Sequence, residues 1–388
     1  MIRNITIGID VGTSTVRVVV AERVKDEQFP RIIGIGSAES RGLRHGYITN
    51  MSEAVKSIQK AVAEAEKNSQ IKIKRAFVSI GGISLSSETA AGVAIVSRGD
   101  HEVTKLDISK AIDGAEETLE LSNKKIIQTV PISYRLDGKD IHGRPDGMQG
   151  TKLEVKTLFV TCLAQHLEDL IVAVSEAGVD VINVIASPMA ASLVTLTDKQ
   201  KIAGCILANI GAETVSIATF ENGNIISLQV FSIGGTEITK DIALGLKIPL
   251  EEAEGIKIGS MISNYPKKKL DEIIEARLSD IFELIEKHLK KIGRSALLPA
   301  GIIITGGGSN LPLIEDLAKH SLKLPAKIGT AEYFAQSKIK PRDSSWFVAL
   351  GLCISGIDPQ NGSEPGSINE SFKSFKRFIG NVVKQLLP

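Results

Sequence analysis

Two segments of this 388-residue chain repeat one pattern, and that repeat constrains the fold more than any other feature. Ile5–Ile9 is apolar and β-branched, and Thr15–Ala21 carries Val16, Val18, Val19 and Val20. Asp10-Val11-Gly12-Thr13-Ser14 joins them, and Arg31–Ile35 follows a Pro30 turn signal. The arrangement returns at Cys205–Ala208, the turn Asn209-Ile210-Gly211-Ala212-Glu213, then Thr214–Phe220 and Ile225–Phe231. Laid over one another, IDVGTSTVRVVV (Ile9–Val20) and ANIGAETVSIAT (Ala208–Thr219) share a Gly, a Thr and a Val in register. Two such hairpins opening two halves predict an internal duplication.

The intervening segments fit α/β halves. Asn50 or Ser52 can cap a helix to about Lys67, with Ala54, Val55, Ile58, Ala61, Val62 and Ala65 at helical spacing. Arg75–Ile80 and Leu158–Cys162 read as strands, Gln165–Glu176 as a helix, and Leu270–Ile292 as a long amphipathic helix. Ile302–Thr305 reads as a strand before Gly306-Gly307-Gly308-Ser309, with a short helix expected from Pro312. The polar, glycine-rich stretch Asp137–Gly150 sets the region after Ser84 apart as a separate small α+β insertion. Ile357–Glu370 is rich in Gly, Pro, Ser and Asn and reads as a flexible linker.

Composition removes several functions. The balance of 46 Lys+Arg against 45 Asp+Glu excludes a broadly basic nucleic-acid binder, and 4% aromatics supply no stacking platform. Cys162, Cys205 and Cys353 are isolated and read as buried thiols, and the six histidines lack metal-ligand spacing. No apolar run approaches the roughly 18 residues of a membrane span. Asp10 interrupts any signal-peptide core, so the body is expected to be soluble and cytoplasmic.

Three turns carry candidate chemistry. Asp10-x-Gly12-Thr13-Ser14 is either an ordinary polar β-turn or a cradle in which backbone N–H groups and hydroxyls hold a phosphate. In the second case Asp10 sits where hydrated Mg²⁺ bridges phosphates. Gly306-Gly307-Gly308, between strand and helix, is either a tight turn or a close passage for an adenosine. Gly234-Gly235-Thr236 is a weaker candidate of the same kind.

These features, with SRGLRHGYITN (Ser40–Asn50), EEAEGIKIG (Glu251–Gly259) and AGIIITGGG (Ala300–Gly308), resemble the bacterial FtsA cell-division family, of the actin, Hsp70 and sugar-kinase fold. The resemblance spans essentially the whole chain. It implies an actin-like duplicated α/β fold with a nucleotide cleft between two halves and a small inserted α+β subdomain. Residues 1–83, continued at 162–190 and 341–356, would form the first half, 84–161 the insertion and 191–340 the second half. A linker at 357–370 would lead to an amphipathic membrane-targeting helix at 371–388. The resemblance also implies ATP with Mg²⁺ as ligand. Gly12, Thr13 and Ser14 would form the first phosphate loop, and Asp10 would hold the metal through water. Gly211 and Thr214 would form the second loop, with Gly306, Gly307 and Gly308 at the adenosine and Glu254 and Lys257 near the ribose, and Gly235 would be a further nucleotide-binding position. Read from spacing alone, Glu254 and Lys257 fit a solvated helix face equally well.

The chain departs from the family pattern in two places. Asn209 stands where an acid is usual, and Ala212 and Glu213 stand where glycines are usual. An amide cannot supply the negative charge that helps to hold the metal and polarise the attacking water. Glu213 either adds like charge beside a phosphate or turns to solvent. Nucleotide binding without efficient hydrolysis is therefore expected, at most a weak ATPase. The stretch between Gly259 and the long helix is also shortened. The resemblance places there the docking site for the C-terminal peptide of the tubulin-like protein FtsZ. Arg277 matches a basic residue of that site, and Lys267, Lys268 and Lys269 are either further charge for an acidic peptide or a solvated run.

The tail is the most readable feature from physics alone. Phe372, Phe375, Ile379, Val382 and Leu386 recur at steps of three and four, flanked by Phe378 and Val383, with Lys373, Lys376, Arg377 and Lys384 on the remaining surface. A basic amphipathic helix beyond a linker reads as an interfacial anchor on an anionic membrane, against docking on the body or a partner. By resemblance the chain would tether the FtsZ ring to the cytoplasmic face of the membrane at the division site, as a peripheral protein. It would self-associate into ATP-tuned filaments and meet other division proteins through the insertion. The alternatives are a related actin-like adaptor of type IV pilus assembly or a small-molecule kinase of the sugar-kinase type.

Overall fold

The computed structural model describes residues 4–24, 29–261, 265–331 and 343–357. The linker and amphipathic tail inferred above lie outside these, apart from Ile357. The chain opens with an antiparallel meander, β1 (Asn4–Val11), β2 (Thr15–Arg23) and β3 (Arg31–Glu39). A two-strand hairpin, β4 (Leu43–Arg44) and β5 (Tyr47–Ile48), precedes helix α1 (Met51–Ser69). Asn50 is the cap of α1, its side chain accepting from Glu53 N–H at 3.2 Å, and the six apolar positions anticipated for that helix are buried. Strand β6 (Arg75–Ile80) then pairs parallel to β1.

The insertion supplies β7 (Ser86–Ile95), α2 (Lys105–Glu116), β8 (Lys124–Leu136), β9 (Lys139–Ile141) and β10 (Lys152–Leu163). It has its own core of Ala94, Val96, Val103, Ile108, Ala111, Leu136, Leu153 and Val155. The chain returns to the first half through α3 (Ala164–Glu176), β11 (Asp180–Ala186) and α4 (Ser187–Thr195). The first sheet runs β11-β6-β1-β2-β3.

After α5 (Asp198–Ala203) the second half repeats the plan. Strands β12 (Cys205–Ile210), β13 (Val215–Glu221) and β14 (Asn224–Phe231) form an antiparallel meander. Helices α6 (Gly235–Leu246), α7 (Leu250–Lys257) and α8 (Lys267–Lys291) lead to β15 (Ile302–Thr305), which is parallel to β12. Helix α9 (Ile314–Leu322) leads to β16 (Ala326–Ile328), parallel to β15, and α10 (Phe347–Ile357) closes the described chain. The five strands from β14 to β16 have the order and directions of the first sheet, so the duplication read from two short turns extends through the whole topology.

The expected small α+β insertion is present, and its strands extend the sheet of the second half: β7 pairs with the edge of β14 at Gln229–Ser86, and Ser87 exchanges hydrogen bonds with the Leu228 backbone. One nine-stranded sheet results, because the exposed edge of a meander is stabilised by pairing. Helix α9 starts at Ile314 rather than Pro312, since Leu313 has φ +63° and Gly307–Asn310 forms a 3₁₀ turn first.

Strand β12 shows how alternation feeds two cores. Cys205 and Leu207 join the large core shared with the first half, whereas Ile206, Ala208 and Ile210 face the core under α6, α8 and α9. On α8, Ile274, Leu278, Ile281, Phe282, Ile285 and Leu289 form the buried stripe. The halves meet where α4 crosses α10, and α10 lies on β1, β2 and β6. A Cβ at Gly351 would fall inside the Ala190 carbonyl oxygen, so only glycine permits the approach. Gly351→Ala is therefore expected to cost about 1–3 kcal/mol, read as a lower denaturation midpoint.

Candidate functional site

The site builds up from Asp10, the last inward position of β1 before its turn. Asp10 is buried, accepts the Ser79 hydroxyl at 2.6 Å, and stands opposite Arg17 on β2. Burial pushes its carboxyl above the ordinary range, while Ser79 and the Arg17 charge pull the other way. Burial likewise lowers the Arg17 guanidinium, countered by Asp10 and Asp343. Arg17 also lies 5.8 Å from the Trp346 ring centre, so this cation is committed to its own surroundings.

The first turn meets a second feature that the sequence reading had quoted but given no role. His45 and Gly46, with φ +49° and +85°, form the two-residue loop of the β4–β5 hairpin. Gly46 N–H donates to Thr13 Oγ1 at 3.1 Å, and His45 N–H donates to Glu213 Oε2 at 2.6 Å. One small turn thus touches both related hairpins across the cleft. Buried His166 supports it from behind, with Nε2 2.9 Å from the Gly46 carbonyl and Nδ1 2.9 Å from Ser84 Oγ. Burial holds the His166 imidazole below its ordinary pKa, opposed by the Gly46 carbonyl and Asp169.

Glu213 is therefore neither turned to solvent nor unpaired; its side chain is 20% exposed. The rest of the second turn is fastened to α6. Gly211 N–H donates to Thr214 O, Gly235 N–H to Gly211 O at 2.9 Å, and Thr236 N–H to Ala212 O at 2.7 Å. Lys257, whose side chain is 10% exposed, donates to Gly235 O at 3.0 Å and Thr239 Oγ1 at 2.7 Å and pairs with Glu254 at 2.7 Å. Lys257 is thus drawn to the start of α6 rather than lying on a solvated face, while Glu254, which also accepts from Thr239 Oγ1, keeps a side chain 47% exposed. The third turn closes on the second: Cβ atoms at Gly306 and Gly308 would meet Asn209 and Ile210, whereas Gly307 faces open space. Ser309 and Ser344, 2.6 Å apart, both bond the Gly306 carbonyl, tying this turn to the start of α10. Ser14 is exposed on the first turn, its carbonyl accepting from Ser40 N–H.

Thr13 and Glu213 are thus joined through the β4–β5 loop, Gly211, Gly235, Glu254 and Lys257 through the start of α6, and Gly306 and Gly308 approach Asn209 and Ile210, while Gly307 faces open space. Ser79, Arg17, His45 and Gly46 were missed; only the Ser40–Asn50 stretch carried a hint of them. Arg277 is far along α8 and forks onto Asp241 at 2.7 and 3.1 Å, with Asp280 at 3.2 Å. The hydrogen bonds that Arg277 donates to Asp241 raise the guanidinium pKa against the effect of burial. Exposed Leu244, Leu250, Ile258 and Met261 occupy α6, α7 and the residues just after it. Among the described residues no group of three or more His, Cys, Asp or Glu is placed to hold a metal, so Mg²⁺ at Asp10 would depend on water and a ligand's own phosphates.

Residues 206–351 match the family model described as cell division protein FtsA, and residues 82–161 match the SHS2 domain inserted in FtsA. The cell division protein FtsA of Pseudomonas aeruginosa is 30% identical over 98% of this chain and 96% of its own length. The PilM-PilN type IV pilus biogenesis complex superposes with TM-score 0.67 at 16% identity, covering 91% of this chain and 99% of that one. MreB5 of Spiroplasma citri bound to ADP superposes with TM-score 0.52 at 14% identity over 90% of this chain and 95% of its own. The fold is the actin-like duplicated α/β fold.

The Lys257 knot yields a stability test. Lys257→Met leaves the Gly235 carbonyl and Glu254 without their cation and should lower unfolding free energy by about 1–3 kcal/mol. A double-mutant cycle with Thr239→Val in urea should show the two changes to be strongly non-additive.

Proposed function

The chain belongs to the FtsA family of cell-division proteins, and from that premise we propose that it couples the FtsZ ring to the inner face of the membrane. Near-full-length identity to an FtsA protein carries this reading. The nucleotide cleft lies between the two hairpin turns, with Asp10 positioning hydrated Mg²⁺ and Gly12, Thr13, Gly211, Thr214, Gly306 and Gly307 around Mg-ATP. Bound nucleotide bridges the halves and favours the closed form, which tunes filament formation. Asn209 puts an amide at the position of the second turn where the family usually has an acid, so the role is scaffolding with at most slow hydrolysis.

Two surfaces complete the tether. The basic amphipathic stripe of residues 371–388 is the anchor; among the described residues no helix is long and apolar enough to cross a membrane. The exposed apolar side chains of α6 and α7 beside Arg277 form the docking face for the FtsZ C-terminal peptide, whose acid competes with Asp241 for the guanidinium.

The deciding experiment is co-sedimentation of the full chain with anionic vesicles and labelled FtsZ C-terminal peptide. The intact chain should carry peptide to the pellet. Removal of residues 371–388, or Phe375→Glu with Ile379→Glu, should leave peptide binding intact but abolish pelleting; unchanged pelleting in both refutes the anchor. Arg277→Ala should weaken peptide binding, and Asp241→Asn should strengthen it at low salt. Indifference to both puts the docking face elsewhere. Asp10→Ala should weaken Mg-dependent nucleotide binding by calorimetry, and robust steady-state phosphate release by the unmodified chain would contradict the impaired second turn.

A further inference from the structure

The carboxylate of Glu213 stands between the two halves, and its partner is a backbone donor. The Glu213 carbonyl and the Ser232 hydroxyl each lie 3.2 Å from His45 Nδ1, so the histidine is held from two sides. A left-handed φ is unusual for a residue with a Cβ, and these contacts stabilise it at His45. The hairpin does not use the N–H groups of its own loop. One goes to the hydroxyl of the first turn and the other to the carboxylate of the second.

Outward-facing backbone N–H groups at such a turn are what an anion seeks. Here the chain supplies the anion itself. We infer that Glu213 is a specificity determinant of the cleft: its carboxylate takes the seat needed by a terminal phosphate, so a nucleoside diphosphate is bound in preference to a triphosphate. This rests on the nucleotide-cleft reading above. A third phosphate must displace the carboxylate from His45 or lie beside it, and like charges in a partly dry site repel. A diphosphate ends short of that seat. The same hydrogen bond joins the halves without help from a ligand, so closure does not depend on a terminal phosphate.

The test titrates the full chain with Mg-ADP and Mg-ATP and follows amide exchange at His45 without nucleotide. The unmodified chain should bind Mg-ADP about tenfold tighter than Mg-ATP and protect the His45 amide. Glu213→Gln keeps an acceptor but removes the charge. It should retain the protection while bringing the two affinities together. Glu213→Gly should lose both the protection and the preference. Equal affinities in the unmodified chain, or a preference unchanged in both variants, overturn the inference and leave the nucleotide cleft standing. Nucleotide binding by Glu213→Gly alone supports the inference in its strongest form. Binding by none of the three overturns the cleft reading and this assignment with it.

Discussion

The crossing of α4 and α10 is the constraint on which the rest of the molecule depends. Helix α4 follows β11 of the first sheet and also touches β12 and β13, and α10 comes after β16 of the second sheet in the chain yet packs on the first sheet. Only small residues allow the crossing: Gly351 meets the Ala190 backbone, and Gly8 of β1 meets Ala349. Leu350, Leu352 and Cys353 are fully buried there. The halves therefore share one apolar core and cannot part without exposing it, so movement between them is expected as rotation about the crossing rather than separation. Facing of the two related hairpin turns follows from this placement.

Within the cleft the polar groups are mostly satisfied by the chain itself. Arg17 is committed to Asp10 and Asp343, and Lys257 to Glu254 and the start of α6. The N–H groups of Gly235 and Thr236, which open α6, are occupied by carbonyls of the second turn.

Far more of the fold than of the site was legible beforehand. Apolar runs ending in glycine turns located Arg75–Ile80 and Ile302–Thr305 to the residue, and helical spacing located the buried face of α1, because burial on one helix face imposes its period on the chain. The glycine turns were legible for a related reason, since close backbone approach and turn geometry restrict residue choice. Pro312 misled because a proline can precede a helix without starting it, and here Leu313 turns left-handed between them.

By itself, then, the sequence determined the duplicated strand-turn-strand frame, the apolar faces and the glycine turns, all properties set by neighbours within a few positions. Only the tertiary structure decided what those turns touch. The hydrogen bond from His45 to Glu213 joins residues 168 positions apart, and Ser79 reaches Asp10 across 69. Such contacts leave no period and no local composition behind. They exist because the sheet order and the α4–α10 crossing bring the two halves together, and a carboxylate that read as a flaw in a phosphate loop became a bond between them.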